Sequence, residues 1–445
     1  MKIRIVLSVV LLLMSTSTFY GQAIPAGTIT PISSIGSGPN LPSLDGVLHY
    51  ALSASEAIQF GYYGSGVVSH STILSGDVSY TAKSELRPFS LDAAGGVILA
   101  NQSGQGTTGF ISGAISQGYI TRTWNFNISD SVSFLPQSPT TGLSGIPGVG
   151  DLGLTPVQGP VQGPAGGILS VSGNRVANSI TGSAERQIGR ETSISGSGSW
   201  SIFHFLGDNA GSVGLLDTSM VSGTVAVNRR LDARSSMSVN ADYATFSYSH
   251  SSTGLTPPDI ETRGINLSYQ RLLSRTLSVS VSGGPQWVSS SNSTLIPSDV
   301  NAAVSASLSY SRGLTSASIG YSRGVSAGSG VLAGALTDNV FASVGHTYGR
   351  KWVAALTAGY THSSGLTQLT GQQFLGAVNQ NYDTTFGEVQ VTRGFTPHFS
   401  GFASYEAQHQ SSNNAIAEPN ALNGTSQTIG FGITFTPRST RLGQF

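Results

Sequence analysis

Cysteine is absent from this chain of 445 residues, and charged residues make up only 9% of it. Without cysteine there is no disulfide framework and no thiolate ligand for a metal. Soluble domains carry charge on about a quarter of their residues, so the usual water-facing surface is missing as well. The formal net charge is zero, which excludes the basic surface that a nucleic-acid partner requires.

Long hydrophobic runs are also lacking. The longest covers residues 5–14, whereas a helix needs about 20 apolar residues to span a bilayer. Lys2 and Arg4 precede this run and small residues follow it, which predicts a secretory signal peptide over residues 1–23 with cleavage after Ala23. Residues 24–46 are rich in Pro, Gly and Ser and are predicted to form a flexible periplasmic lead-in. An exported chain without a spanning helix is secreted, periplasmic, or inserted in the outer membrane as a β-barrel.

Short segments with strict two-residue alternation fill the rest of the chain. In one of them Trp352, Leu356 and Tyr360 share a face, while Thr357 and Gly359 lie on the other. Such segments are about ten residues long, the length of a tilted strand that crosses hydrocarbon. Their polar face carries Ser, Thr and Gly rather than Lys or Glu, which suits the inside of a barrel better than a surface in water. Aromatic residues near the strand ends are candidates for the interfacial girdles of a membrane barrel, namely Trp352, Tyr360, Tyr269 and Tyr310.

Short arginine-rich turns recur roughly every forty residues, and longer polar connections lie between them, an asymmetry typical of outer-membrane barrels. A propeller has repeats of similar length, but each period here holds two long strands rather than four short ones. With a first strand near Val47 and a last one ending near Pro437, the pattern predicts a closed antiparallel transmembrane β-barrel over residues 47–438. It has about 18 strands, or 16 if the start is misassigned, and a C-terminal tail over 439–445. Strand pairs are predicted to meet near Glu85, Thr121, Gly189, Leu231, Leu273, Gly313, Arg350 and Gly394.

Two irregularities interrupt the pattern. The apolar phase of Met237 and Val239 gives way to that of Phe246 and Tyr248, for which a β-bulge is the expected cause. Residues 138–167 form the longest connection, and long connections in compact proteins are usually functional or disordered. This connection either folds inward and constricts the lumen or decorates the cell surface, and the sequence leaves both alternatives open.

The last alternating segment carries a family resemblance. Thr428, Gly430, Ile433 and Phe435 have the polar, glycine, hydrophobic and aromatic spacing of the C-terminal assembly signal of porin-like bacterial outer-membrane β-barrel proteins. The chain resembles that family, including a group without assigned activity in which a segment like the one that starts at Trp124 recurs. The resemblance implies assembly with periplasmic chaperones and the barrel-insertion machinery, and outer-membrane lipid as the surroundings. The chain departs from the family pattern because it continues past Phe435.

No catalytic, cofactor or metal site is expected, and the chain is not expected to be an enzyme. Residues 148–153 match a dinucleotide-binding glycine pattern, but Pro156 forbids the helix that this pattern requires. Residues 324–328 match the spacing of a nucleophile elbow and also lack a following helix. A few polar residues are interpreted as solvated groups near the outer strand ends, namely Asp242, His250, His362, Glu406 and His409.

The sequence therefore favours a passive diffusion pore of the bacterial outer membrane. A lumen lined by hydroxyl groups and few charges predicts weak ion selectivity and passage of small polar solutes. The alternative is a structural or surface-binding barrel with an occluded lumen, and a secreted β-rich adhesin is less favoured. The oligomeric state is left open.

Overall fold

A computed structural model describes residues 47–61, 68–82, 86–100, 107–135, 168, 174–206, 216–249, 257–328, 331–349, 351–366, 381–413, 423–437 and 440–441. The predicted signal peptide with its cleavage site at Ala23, the lead-in and the connection over 138–167 lie outside these residues. Within them, no helix has the length and apolar character needed to cross a membrane.

The described residues form one continuous antiparallel sheet that closes on itself. β1 pairs with β2 on one side and with β18 on the other, so the ring has no free edge. The prediction of a closed antiparallel barrel of about 18 strands is confirmed. A two-residue strand, β19, continues beyond β18 and pairs Thr440 with Leu48 and Arg441 with Val47. The strands are β1 (Val47–Phe60), β2 (Val68–Ala82), β3 (Phe89–Ala100), β4 (Thr108–Ile120), β5 (Trp124–Leu135), β6 (Asn174–Gln187), β7 (Thr192–Leu206), β8 (Asp217–Arg230), β9 (Ser235–Ser249), β10 (Ile260–Leu272), β11 (Leu277–Ser290), β12 (Asp299–Arg312), β13 (Thr315–Ser326), β14 (Ala335–Tyr348), β15 (Trp352–Gly365), β16 (Asn381–Gly394), β17 (Phe399–Ser412), β18 (Gly424–Phe435) and β19 (Thr440–Arg441).

Short and long connections alternate, as expected. Of the predicted meeting points, Glu85 and Arg350 lie outside the described residues. The other six lie in or beside the short connections that follow even-numbered strands. This end of the barrel is called the short-turn end, and β1 begins and β18 finishes there. The opposite end is called the long-connection end.

The strand faces divide as the alternation predicts. On β15 the side chains of Trp352, Leu356 and Tyr360 are exposed by 42%, 49% and 43%, whereas Thr357 and Thr361 on the opposite face are buried. The exposed, apolar side is the outer face of the barrel, and the side rich in Ser, Thr and Gly is the inner face. Exposed Leu, Val and Ile side chains on a closed sheet imply that the outer face meets an apolar medium.

The bulge predicted in β9 was wrong. Pairing with β10 runs without a break from Phe246 opposite Ile260 to Ser235 opposite Arg271. Val239 and Tyr243 lie on the outer face, while Phe246 and Tyr248 lie on the inner face and are buried. The change of apolar phase therefore marks the height at which the outer face stops being apolar and the inner face becomes apolar.

Several strand glycines lie under inner-face aromatic rings. A Cβ on Gly359 would come 2.4 Å from the ring of Phe386, and a Cβ on Gly320 would come 2.4 Å from the ring of Phe341. Glycine is required here because the ring lies flat against the neighbouring strand, the arrangement that protects strand glycines in β-sheets. Part of the high glycine content thus serves close packing inside the barrel.

Candidate pore and its inner constriction

The inner face is a wall of hydroxyl groups. Serines on neighbouring strands bond to each other across the ladder, with Oγ–Oγ distances of 2.6 Å for Ser282 and Ser305 and 2.7 Å for Ser318 and Ser343. Each hydroxyl in a pair satisfies the hydrogen-bonding capacity of the other, and the side chains along the wall are small. Such a lining is compatible with water and polar solutes inside a wide barrel.

The charges on the inner face are mostly negative. Among the arginines whose side chains the structure describes on strands, Arg230 at the short-turn end lies on the inner face, and the others lie on the outer face. Outward arginines are stacked on aromatic rings at this end, for example Arg393 with its guanidinium carbon 4.8 Å from the centroid of Trp352. The carboxylates on the inner face of the described strands are Asp77, Asp92, Glu185, Asp242, Asp299, Glu388 and Glu406.

Two of these carboxylates are immediate neighbours. Glu388 on β16 lies directly opposite Glu406 on β17, with Thr357 and Thr428 beside them at the same height. The Glu406 carboxylate accepts a hydrogen bond from the Gln408 amide. Like charges directly opposite each other in a ladder are unfavourable unless a cation or a proton lies between them. Glu406, which was expected near the outer strand end, instead lies midway along the inner wall.

Towards the long-connection end the inner face is closely packed. No more than 1% of the surface is exposed there on each of Thr361, Thr384, Gln410 and Phe246. At the short-turn end, by contrast, the inner-face residue Ser309 is exposed. The lumen is therefore narrowed towards the long-connection end.

The end of β13 separates from β12 at this packed level, while β14 stays paired with β15 as far as Ala335. Pairing between β12 and β13 stops at Val304 opposite Arg323, although β12 continues to Asp299. Beyond that point β13 pairs with β14 alone. Val325 is fully buried, and its N–H donates to the Oε1 atom of Gln286 on β11, past the intervening strand. Residues 324–328 and 331–334, here called the inner hairpin, thus bend into the barrel.

The tip of the inner hairpin crosses the lumen. Leu332 packs in a buried cluster with Ile168 and Tyr382, and Val331 packs both against this cluster and against the one that contains Phe203 and Phe205. Tyr382 on β16 and Phe203 on β7 are separated by half the circuit of 18 strands, so they lie on opposite walls. Strand spacing and tilt give such a barrel a diameter of about 35 Å. Apolar side chains at its centre form a constriction of the kind that gates by excluding water.

Two glycines shape the inner hairpin. Gly328 and Gly334 have φ angles of 81° and 75°, which other residues rarely adopt. The N–H of Leu332 donates to the carbonyl of Gly328 at 3.0 Å and closes the turn. A Cβ on Gly334 would come 2.4 Å from the Cδ1 atom of Ile260, so the turn also fits closely against β10.

The connection between β11 and β12 adds to the constriction. Ile296 is exposed by only 1%, and its N–H donates to the carbonyl of Asn292. Ile296 belongs to the largest buried cluster, which also contains Phe246, Ile260 and Val325. Two consecutive connections at the long-connection end therefore supply apolar side chains to the same constriction.

Sequence reasoning expected a constriction from residues 138–167, which lie outside the described residues. It gives no such prediction for the inner hairpin, whose first residues match the spacing of a nucleophile elbow without the helix that this motif requires. The signal that could have found it is the pair Val331 and Leu332, two large apolar residues in an otherwise glycine- and serine-rich connection.

The aromatic candidates lie on the outer face. Trp352, Tyr269 and Tyr310 are near the short-turn end, and Tyr360 is eight residues further up β15 from Trp352. A rise of eight residues corresponds to roughly 20 Å along the axis of a tilted barrel. Their role as interfacial girdles stays a prediction.

The residues of the predicted assembly signal lie on both faces of β18. Thr428 and Gly430 are buried on the inner face, and Ile433 is 57% exposed on the outer face with Phe435. Recognition of these residues by the insertion machinery stays a prediction.

The residues expected near the outer strand ends do not form one group. Asp242 on the inner face accepts a hydrogen bond from the Asn266 amide at 2.7 Å, and His409 lies 2.9 Å from the Thr425 hydroxyl. His362 contacts Asp383, and His250 lies outside the described residues. Among described residues, no group of three His, Asp or Glu side chains is placed to hold a metal ion.

Comparison with known proteins gives likeness of architecture alone. No family model matches the chain, and no curated protein matches it. OccK2 (OpdF) of Pseudomonas aeruginosa is 11% identical, with a TM-score of 0.42 over 89% of this chain and 98% of that chain. The outer membrane protein opdK of the same organism is 9% identical, with a TM-score of 0.43 over 89% of this chain and 99% of that chain. The siderophore receptor PirA of Pseudomonas aeruginosa is 10% identical, with a TM-score of 0.39 over 90% of this chain and 81% of that chain. At these identities and scores the likeness adds nothing to the strand topology described above.

Proposed function

We propose that this protein is a passive diffusion pore of the bacterial outer membrane that admits small polar solutes through a narrowed outer mouth. The observation that carries the proposal is the division of the closed sheet into an apolar outer face and a hydroxyl-lined inner face. An apolar outer face suits acyl chains, and a polar inner face suits a water-filled passage. Assembly by the barrel-insertion machinery belongs to the same proposal and is supported by the spacing of Thr428, Gly430, Ile433 and Phe435 in the last long strand.

A barrel with an occluded lumen is the second candidate. The apolar tip of the inner hairpin favours it, because Val331 packs against clusters on opposite walls. In that case the outer connections would bind a surface partner and the lumen would carry no solute. The two candidates differ in a measurable way, since only the pore conducts.

The test is reconstitution of the purified full chain in planar bilayers. We expect discrete conductance steps, with closures that reflect movement of the inner hairpin. A preparation shown to be folded by its altered electrophoretic mobility before boiling, yet silent in bilayers across the accessible voltage range, would exclude the pore and leave the occluded barrel.

The carboxylates on the inner face predict that the pore prefers cations. The overall composition predicts only weak ion selectivity. Changing Glu388→Gln and Glu406→Gln together should roughly halve the permeability ratio of potassium to chloride, because the paired carboxylates face the solute path. Reversal potentials across a salt gradient measure this ratio.

The matched control for this double variant is Glu56→Gln. Glu56 lies opposite Phe431 on the outer face and accepts a hydrogen bond from the Thr72 hydroxyl at 2.6 Å. Removing this charge should leave the permeability ratio unchanged. An equal change in both variants would show that the ratio reports net charge rather than the inner wall.

A further inference from the structure

Three side chains at the long-connection end form a continuous hydrogen-bonded series. The Oγ atom of Ser364 lies 3.1 Å from Nε2 of His362, and Nδ1 of the same imidazole lies 2.8 Å from Oδ1 of Asp383. His362 and Ser364 are two residues apart on β15 and so share a face, while Asp383 lies directly opposite His362 on β16. Both distances fall within the range for a nucleophile and its base, and for that base and the group that orients it.

The three side chains are on the outer face and open to solvent. Thr361 and Ser363, which alternate with them along β15, are almost fully buried on the inner face. The side chains of His362 and Asp383 are exposed by 33% and 45%. A substrate at the outer surface of the barrel can therefore reach them without entering the lumen.

The surroundings assign the proton positions. Asp338 lies opposite His362 on the other side, but Arg323 neutralises it with a 3.0 Å ion pair. Asp383 is thus the carboxylate that accepts the Nδ1–H bond, and the Tyr360 hydroxyl donates to the same oxygen and holds it in place. With the proton on Nδ1, Nε2 of His362 is free to accept the proton of Ser364.

The geometry points to an acyl-ester hydrolase site on the outer face of the barrel, with Ser364 as the nucleophile, His362 as the general base and Asp383 as the positioning residue. Ser364 lies four residues beyond Tyr360 on β15, which places it about 10 Å along the axis above that predicted girdle position. This is the height of lipid headgroups and ester linkages. The substrate class is therefore a carboxylic ester carried by a lipid at the membrane surface.

The chemistry balances without any further reagent than water. The Ser364 oxygen forms a bond to the ester carbonyl carbon as its proton passes to Nε2 of His362, and the bond to the alcohol then breaks as that proton passes to the leaving oxygen. Water repeats both proton transfers, so the acyl group leaves as a carboxylic acid and Ser364 is restored. Asn381 lies opposite Ser364 on the outer face, and its amide is the class of donor that stabilises the oxyanion.

The decisive experiment uses the full chain folded in detergent and in phospholipid vesicles. A fluorophosphonate probe should label Ser364, identified by peptide mass spectrometry, and Ser364→Ala should lose both the label and the release of fatty acid from phosphatidylethanolamine vesicles. Thr425→Ala is the matched control, since it removes a hydroxyl that contacts His409 at the same end of the barrel. A short-chain soluble ester, tested alongside, separates hydrolysis in general from hydrolysis of lipid.

Asp383→Asn tests the positioning role. It should lower kcat by at least about a hundredfold with little change in KM, because the imidazole loses the group that fixes its tautomer. A folded protein that takes no label at Ser364 and releases no acid from either ester would overturn the proposal and leave the three residues as a structural network. Conductance is measured in the same preparations, and its presence or absence bears on the pore alone.

Discussion

Replacing residues 327–334 by a two-residue Asn-Gly turn should raise the single-channel conductance by about threefold or more. The replaced segment carries Val331 and Leu332, whose side chains occupy the centre of the lumen. An Asn-Gly turn joins β13 to β14 without an apolar tip, so Val331 and Leu332 no longer occupy the centre of the lumen. Planar-bilayer recordings in symmetric salt measure the change.

The matched control places the same Asn-Gly turn at residues 313–314, at the other end of β13. That position already has a tight turn, with Gly313 at a φ of 56°, and it lies far from the constriction. It should leave the conductance unaltered. If removal of the tip leaves the conductance unaltered as well, the inner hairpin is not the narrowest part of the pathway.

A milder variant distinguishes loss of bulk from loss of apolar character. Val331→Ser together with Leu332→Ser keeps the hairpin but permits water between the walls, since hydrophobic constrictions close by dewetting. We expect more frequent opening with an unchanged maximal conductance. This result would show that the tip stays in the lumen and acts as a gate rather than as a fixed obstacle.

The wall could be predicted from sequence because its pattern is local. On β15 the spacing of Trp352, Leu356 and Tyr360 sets which side faces out, and neighbouring strands repeat the rule independently. The same rule gave a wrong prediction for β9, where the positions of Phe246 and Tyr248 suggested a bulge. Their inward position follows from Val325 and Ala333 of the inner hairpin, which pack in the same cluster and lie far away in sequence.

The constriction and the proposed hydrolase site depend on contacts between distant segments. Val331 narrows the lumen because it packs against residues on opposite walls of the barrel. The periodicity of a sequence does not predict contacts of this kind. His362 and Asp383 become neighbours only through the register of β15 with β16, which the sequence between them does not specify. Ser364 and His362 are close on one strand, but a spacing of two residues is unremarkable in a serine-rich chain.

The pore and the hydrolase site use different faces of the same strands. On β15 the inner face carries Thr357 and Thr361 towards the lumen, while the outer face carries His362 and Ser364 towards the membrane surface. Because side chains alternate, a substitution on one face leaves the other in place. The two activities are therefore separable by single substitutions one residue apart.

Leu356→Arg should destabilise the folded barrel in lipid by about 2–4 kcal/mol, because it places a charge at the centre of the hydrocarbon. Leu356 is 49% exposed on the outer face and lies four residues from both Trp352 and Tyr360, midway between the predicted girdles. Urea unfolding in phospholipid vesicles, followed by tryptophan fluorescence, measures the difference in free energy of unfolding.

The control for this substitution is Ser309→Arg, on the inner face near the short-turn end, where the side chain of Ser309 is exposed. It should change the stability by less than about 1 kcal/mol, since surface substitutions away from packed groups are tolerated. Equal costs at Leu356 and Ser309 would mean that both faces meet the same medium. The exposed leucine, valine and isoleucine side chains would then need a protein partner to cover them, and contact of the outer face with lipid would be excluded.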